Sequence, residues 1–464
     1  MVCRTFRIVR LYTFSHHKVL RFLFFYFCFA LFFQQSCLFG FMIREEERPE
    51  TYFVDLNQTL EELEDNSPVL SGHQYDFKIA EMDQLVARSN QGLKFGVNIY
   101  GQSIHEDRPN ESFYHRYRAL NQVYLRKPIF HWGALEAQEE IAKLNKDRSW
   151  QSLNFKKSTL KSEVRAVFLE LVVLKFRIKL AASQIELAKE NVNTAKERLR
   201  LGRGTQLDID EAKAELISRE ISLSETKSSL QRKHAYFTSL SGSNGDLNLE
   251  IPDRFKSFCL THEMQSNLPI QVGSLSSGEV EDLKLQSKIQ DQAVLIANAA
   301  LKPKINLTSA YFQDQIDIAE SGKNLDRNNL IVGLEAHWEI WDSGKSKAQK
   351  KSALLKKSKI SQSIILKQKQ VRSHVKTMLE ELDSLAERIS LGRKLIEVAQ
   401  SRFDKSKLEL NLNRIAPMSH FGASVSLDMA LLNNLEYTCR YLVLLDQYAN
   451  SVALVGPFDV PSSK

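Results

Sequence analysis

The chain has 464 residues, only 18 Gly and 10 Pro, 26% charged residues and a formal charge of +7. Long stretches rich in Lys, Glu, Leu, Ser, Ala and Gln favour extended helices over a compact α/β enzyme. Five basic residues (Arg4, Arg7, Arg10, Lys18, Arg21) and no acidic one fall in 1–40, which leaves +2 on the remainder. A body so near neutrality offers no electrostatic basis for binding nucleic acid.

In chain order, residues 1–40 come first. The basic stretch ends at Arg21 and a Phe-rich apolar core follows over 22–33. That core is short for a spanning helix and suits a signal peptide; an uncleaved anchor is the other reading. Cys37 follows Gln34-Gln35-Ser36, a poor lipoprotein cleavage box. Beyond the leader only Cys259 and Cys439 remain, too few for a disulfide scaffold and wrongly spaced for a metal site. They are expected to be unpaired, with a single bridge as the alternative.

Past a helical stretch at 68–90, Leu93, Phe95, Val97 and Ile99 alternate with Lys94, Gly96 and Asn98. Val123, Leu125 and Ile129 continue that pattern in a second segment, so strands are expected at about 93–101 and 120–130. Leu160, Val164, Val167, Leu171, Leu174, Ile178, Ala181, Ile185, Ala188, Val192, Ala195 and Leu199 then alternate spacings of four and three, a heptad seam. This marks a long helix from Gly133 to Leu201. The chain turns at Leu201-Gly202-Arg203-Gly204-Thr205-Gln206-Leu207-Asp208 and returns as a helix to about 239. The glycines permit the positive φ of a helix–helix turn, and Thr205 or Asp208 can cap the returning helix.

After a linker at 241–277 the pattern is written again. Val371, Val375, Met378, Leu382, Leu385, Ile389, Gly392, Ile396, Ala399, Phe403, Ser406 and Leu410 reproduce the seam 211 residues on. Gly133 maps to Gly344, Phe130 to Trp341, Tyr100 to Tyr311 and Leu201 to Leu412 by the same step. Strands are expected at about 304–312 and 330–341. In the latter Leu330, Val332, Leu334, Ala336, Trp338 and Ile340 oppose Gly333, Glu335, His337 and Glu339. Alternation over about ten residues fits a transmembrane barrel strand, and it fits a half-buried soluble sheet as well. Four strands cannot close a barrel alone, so a spanning sheet must be shared between chains.

The stretches 55–70 (DLNQTLEELEDNSPVL), 197–216 (ERLRLGRGTQLDIDEAKAEL), 301–311 (LKPKINLTSAY), 329–344 (NLIVGLEAHWEIWDSG) and 426–432 (SLDMALL) resemble the outer-membrane efflux protein family, TolC-like, in order and in duplicate. The resemblance spans about 55–456. It implies a mainly α protein with transmembrane β strands: a duplicated β-β-long helical hairpin whose three copies share one β-barrel, continued by a periplasmic α-helical barrel. In that arrangement 55–240 is repeat 1 (hairpin 133–239), 241–277 an equatorial linker and 278–456 repeat 2 (hairpin 344–453). The implied function is the exit duct of a tripartite efflux or type I secretion system. The implied partners are a homotrimer, a periplasmic adaptor, an inner-membrane pump of RND, ABC or MFS type, and outer-membrane lipid. A periplasmic adaptor or a coiled-coil structural protein of an envelope complex is the alternative.

The resemblance also places residues. Leu201, Gly202, Gly204 and Leu207 fall at the tip that meets the adaptor, an assignment level with plain turn chemistry. Aligning SLDMALL with the first turn puts Leu427 at the second tip and makes nine residues around 413–424 an insertion. Asp428 then falls on a constriction position, with Asp208 as its repeat-1 counterpart. Three Asp428 carboxylates would attract cations; alternatively each is a first-turn residue favoured by the helix dipole. The position where some relatives place a gate-tying Arg holds Ser424. No His-Glu-x-x-His pair, phosphate loop or nucleophile elbow is present, so no catalytic residue, metal or cofactor is expected.

Overall fold

The computed structural model describes residues 44–106, 114–243, 247–265, 278–318 and 323–452. The leader, with Cys37, lies outside the described residues. Two short 3-10 turns, Glu45–Glu47 and Pro49–Thr51, precede α1 (Val54–Asn66) and α2 (Pro68–Ser89). Then come β1 (Lys94–Glu106), β2 (Tyr114–Phe130), α3 (Ala134–Arg200) and α4 (Gln206–Ser241). The short α5 (Asp253–Thr261) leads to α6 (Gly278–Ala299), β3 (Lys304–Ile318), β4 (Lys323–His337), α7 (Lys345–Asn411) and α8 (Pro417–Val452).

The two long helices have 67 residues each, about 100 Å at 1.5 Å per residue. Helices of that length need partners throughout, and the heptad seams supply the contact. Leu160, Val164, Val167, Leu171, Ile185, Ala188 and Val192 are buried in α3, and Val375, Met378, Leu382, Leu385, Ile389 and Ile396 in α7. Each long helix packs against its returning partner, α3 on α4 and α7 on α8. Gly392 keeps α7 close to α8, because a Cβ there would sit 2.9 Å from the Asn434 side-chain oxygen.

The core concentrates halfway along the helices, where the 3-10 turns, α1 and α5 dock against α3, α7 and α8. Phe53, Phe168, Phe237, Phe255, Tyr441 and Tyr448 lie at its centre. The buried Arg165 guanidinium donates two hydrogen bonds of 3.1 Å to Glu50 and stands 3.5 Å from Asp446. Asn434 donates to the Cys259 carbonyl at 3.1 Å, as does the Arg393 Nε, so backbone carbonyls of the linker are tied to both helices of the second hairpin. Cys259 and Cys439 are free and buried; burial pushes the Cys259 thiol up to about 12, leaving it protonated and unreactive.

The sheet is antiparallel throughout in the order β1-β2-β3-β4, so β1 and β4 are its open edges. Its registers correct the repeat. β1 and β3 begin 210 residues apart, as do the 22-residue helices α2 and α6, whereas everything from α3 onward follows 211. Tyr100 therefore corresponds to Ala310 and not to Tyr311. The registers agree: Phe95 and Val97 share a face with Leu125 and Val123, which pair with Ser309 and Tyr311, so Tyr100 lies on the opposite face from Tyr311. One residue of slip inverts every side chain of a strand.

The second helical turn carries a larger correction. α4 and α8 both have 36 residues and begin 211 apart, at Gln206 and Pro417. The nine-residue insertion is absent. Leu427 and Asp428 are the eleventh and twelfth residues of α8, not part of the turn or of the first turn of the helix.

Candidate functional site

Two surfaces follow from this fold, one at each end of the molecule. The registers place Phe95, Val97, Ile99, Val123, Leu125, Leu307, Tyr311, Leu330, Val332 and Leu334 on one face of the sheet. Many of them are exposed, Ile99 at 77% and Leu334 at 72%. A contiguous apolar face of this extent is not a stable water-facing surface. The other face is polar. Arg118 there makes a bidentate pair with Asp314 at 2.8 and 2.7 Å, Asn98 donates to Gln122 at 3.2 Å, and Arg126 lies 3.4 Å from Glu335. Gly96 leaves room for the Tyr124 ring, which a Cβ would meet at 2.5 Å. Apolar-out, polar-in alternation on strands of 13 to 17 residues is long enough to span a bilayer. Among the described residues no helix is long and apolar enough to cross a membrane.

Where strand becomes helix, two consecutive left-handed residues turn the chain: Trp132 and Gly133 in one repeat, Ser343 and Gly344 in the other. The rim is aromatic. Trp132 Nε1 donates to the Pro303 carbonyl at 2.8 Å and Trp338 Nε1 to the Leu301 carbonyl at 2.9 Å. Lys302 stands over the Trp132 ring at 4.6 Å. Amphipathic rings with satisfied N–H groups beside a basic residue suit a membrane–water boundary.

At the far end the helical turns are twins. Gly202 (φ +68°) and Asn413 (φ +52°) occupy the same left-handed position. The Arg203 amide bonds the Arg198 carbonyl at 2.8 Å and the Arg414 amide the Glu409 carbonyl at 2.9 Å, closing a Schellman motif in each. Asn tolerates this conformation at modest cost, so the second turn needs no glycine. Gly204 is needed for close approach, since a Cβ would meet Arg198 Cβ at 3.2 Å. Leu201, Leu207 and Leu412 are more than 60% exposed, leaving an apolar tip among charged neighbours.

The candidate carboxylates part company here. Asp208 forms a capping box: its amide donates to Thr205 Oγ1 at 3.3 Å and its carboxylate accepts from the Thr205 amide at 2.7 Å. These hydrogen bonds hold its pKa below the usual carboxylate range. Asp208 is thus a cap on an exposed turn, with its carboxylate already engaged. Asp428 lies deeper along the hairpin and half-buried; burial raises its pKa, against the opposing pull of Lys179 on α3. Its counterpart in repeat 1 is Ile217, so the structure does not bring the two aspartates to equivalent places. Leu412, which the 211-residue step pairs with Leu201, is the tip residue of the second turn in place of Leu427.

Residues 60–243 match the family described as outer membrane efflux protein. The fold over nearly the whole chain is found in solved channels. The Campylobacter jejuni CmeC outer membrane channel superposes with a TM-score of 0.70 at 13% identity, covering 88% of this chain and 87% of that one. The Vibrio cholerae outer membrane protein VceC gives 0.67 at 15% identity, covering 88% and 98%. The open-state Neisseria gonorrhoeae MtrE outer membrane channel gives 0.65 at 15%, covering 87% and 93%. The fold is that of the outer membrane efflux channels. No curated protein matches the sequence.

Proposed function

We propose that the chain is one protomer of an outer-membrane exit duct, passing substrate from an inner-membrane pump across the periplasm and outer membrane. The observation that carries this reading is a sheet with open edges and one continuous apolar face, joined without a break to helices about 100 Å long. Such a sheet satisfies its edge hydrogen bonds in lipid only by closing with sister copies. A homotrimer sharing one barrel meets that need. A periplasmic adaptor or soluble coiled-coil protein has no use for a lipid-exposed face on all four strands.

The periplasmic tip, with exposed Leu201, Leu207 and Leu412 around the two Schellman turns, is the surface that would meet a periplasmic adaptor. Gly202 and Gly204 shape that tip, through a left-handed residue and a close backbone approach. Asp428 is retained as the constriction carboxylate. Three copies near one axis would favour cations and raise one another's pKa, so neutralising them would lower cation selectivity.

The test is fractionation followed by reconstitution. The protein is expected in the outer-membrane fraction as a heat-modifiable, detergent-resistant trimer that conducts ions in planar bilayers. Asp428→Asn should reduce the preference for cations, and affinity capture of the intact trimer should bring down an adaptor and its pump. A folded, detergent-free monomer in aqueous buffer would refute the duct.

A further inference from the structure

The duplicated sequence makes one specific prediction about where two copies touch. Within the chain, repeat 1 meets repeat 2 along a single junction: α3 against α6 and α8, and β2 against β3. The outer flanks, α2 and α4 with β1 on one side and α7 with β4 on the other, make no such contact with each other. Among the described residues five charge pairs cross the in-chain junction: Arg118–Asp314, Arg126–Glu335, Arg148–Asp282, Arg165–Asp446 and Arg177–Glu436. Transposing each partner to the other repeat, by 210 or 211 as its element requires, shows which pairs the flanks have kept.

Four are lost. Arg118 and Asp314 become Asn329 and Ile104, Arg126 and Glu335 become His337 and Tyr124, Arg148 and Asp282 become Lys359 and Gly72, and Arg165 and Asp446 become Lys376 and Ala235. The fifth survives: Arg177 on α3 becomes Arg388 on α7, and Glu436 on α8 becomes Glu225 on α4. The apolar contact beside it survives too. Leu180 packs with Leu432 in the chain, and their counterparts are Leu391 and Ile221, each 55% exposed. Arg388 and Glu225 are both exposed and lie on helices that do not pack against each other within the chain. A charge pair and its apolar neighbour, kept on opposite flanks, have one complementary surface available: the same chain again.

The strands extend the argument. β2 runs to Phe130 because β3 pairs with it, whereas β4 stops at His337 and leaves Trp338, Ile340 and Trp341 unpaired and exposed. Transposing the Leu125–Ser309 and Lys127–Leu307 pairs puts Ala336 opposite Ile99 and Trp338 opposite Val97. Both pairings bring outward apolar side chains together, and they supply the missing partner for 338–341.

We propose that adjacent copies repeat the in-chain junction in trans: Arg388 pairs with Glu225 of the partner subunit, Leu391 packs on Ile221 of the partner subunit, and β4 takes up the partner's β1 with Ala336 facing Ile99 of the partner subunit. This rests on the shared barrel proposed above and fixes its seam. The loss of the other four charge pairs makes the inter-chain seam the weaker one, so a trimer should part there while each chain stays folded.

The experiment uses the full-length protein in detergent with copper-phenanthroline oxidation. The double variants Ile221→Cys with Leu391→Cys, and Ile99→Cys with Ala336→Cys, are expected to give covalent dimers and trimers on a non-reducing denaturing gel. The in-chain twin, Leu180→Cys with Leu432→Cys, should give linked monomer only. The two-residue slip, Ile99→Cys with Leu334→Cys, should stay unlinked. Separately, Glu225→Lys or Arg388→Glu should lower the temperature at which the detergent-resistant trimer falls apart, and the double reversal should restore it. Linking at the slipped pair, or no rescue by the double reversal in a protein that still forms trimers, overturns the seam but not the duct. Absence of any oligomer in the unsubstituted protein overturns the duct itself.

Discussion

The two repeats are near copies in length and pattern, yet the chain treats them unequally. The short helix of repeat 2, α6, packs against both α3 and α7, and its Leu285 is 8% exposed. The short helix of repeat 1, α2, packs chiefly against α3, and its equivalent residue Tyr75 is 61% exposed. Tyr75, Ile79, Met82 and Val86 form an uncovered stripe at helical spacing on α2. The same unit is thus finished on one flank and unfinished on the other, as expected of a protomer whose neighbour completes it. The turns differ in chemistry: the first has a Thr205–Asp208 capping box, while the second starts α8 with Ala416 and Pro417 and has Ser419 in place of Asp208.

The sharpest way to break this contrast is to truncate the equivalent positions. Leu285→Ala removes a buried Leu and should cost about 2–5 kcal/mol in denaturant unfolding of the protomer. Tyr75→Ala should leave protomer unfolding within about 0.5 kcal/mol, the range of an exposed substitution, and lower only the dissociation temperature of the trimer. Equal losses in both would mean the two flanks are alike.

Next comes the sheet. Leu334→Arg on the apolar face should cost about 2–4 kcal/mol of insertion stability if it lies at bilayer mid-depth. Asn329→Arg, on the polar face of the same strand, should insert normally. Urea titration into lipid vesicles measures both, and insensitivity at Leu334 would argue against a lipid-facing surface.

The turns give smaller effects. Thr205→Ala should destabilise the first hairpin by about 1 kcal/mol through loss of the cap, whereas the twin site, already Ala416, has no such bond to lose. Gly202→Ala places a Cβ at positive φ and should cost about 1 kcal/mol, while Asn413→Gly should be neutral or slightly stabilising. Hydrogen exchange at the turn amides reads these local openings.

The smallest signal is pH dependence in the capping box. Because the Asp208 pKa is lowered on folding, its contribution is present above the ordinary carboxylate range and is lost as pH falls through the depressed value. Amide exchange at Thr205 should accelerate over that acid window, and Asp208→Asn should abolish the dependence. The Arg414 amide, in the turn without the box, should show none.

Much of this was legible in the residues themselves. The heptad seam fixes long helices because only a 3.5-residue repeat keeps one apolar stripe against a partner, and the second writing of that seam reveals the duplication. The strands were legible in type but not in extent: Ser103, His105, Gln313 and Gln315 break the apolar alternation although the ladder continues through them, and the strand expected to reach 341 ends at His337. The second turn was hidden in the sequence because Asn413 takes the left-handed position that Gly202 takes in the first. With the glycines gone, the apolar SLDMALL stretch drew the alignment nine residues too far. Asp428 consequently changed from a first-turn residue into a half-buried one in mid-helix.

What the sequence determined by itself is periodicity: which segments are helix or strand, that they occur twice, and which stripe of each is apolar. Periodicity is local, so it cannot say what covers a stripe. The tertiary structure decided the one-residue slip between the strand registers, the equal length of the two turns and the flank left open. Those depend on which backbone groups pair across 200 residues of chain, and hydrogen bonds and packing at that range answer to the position of the partner element.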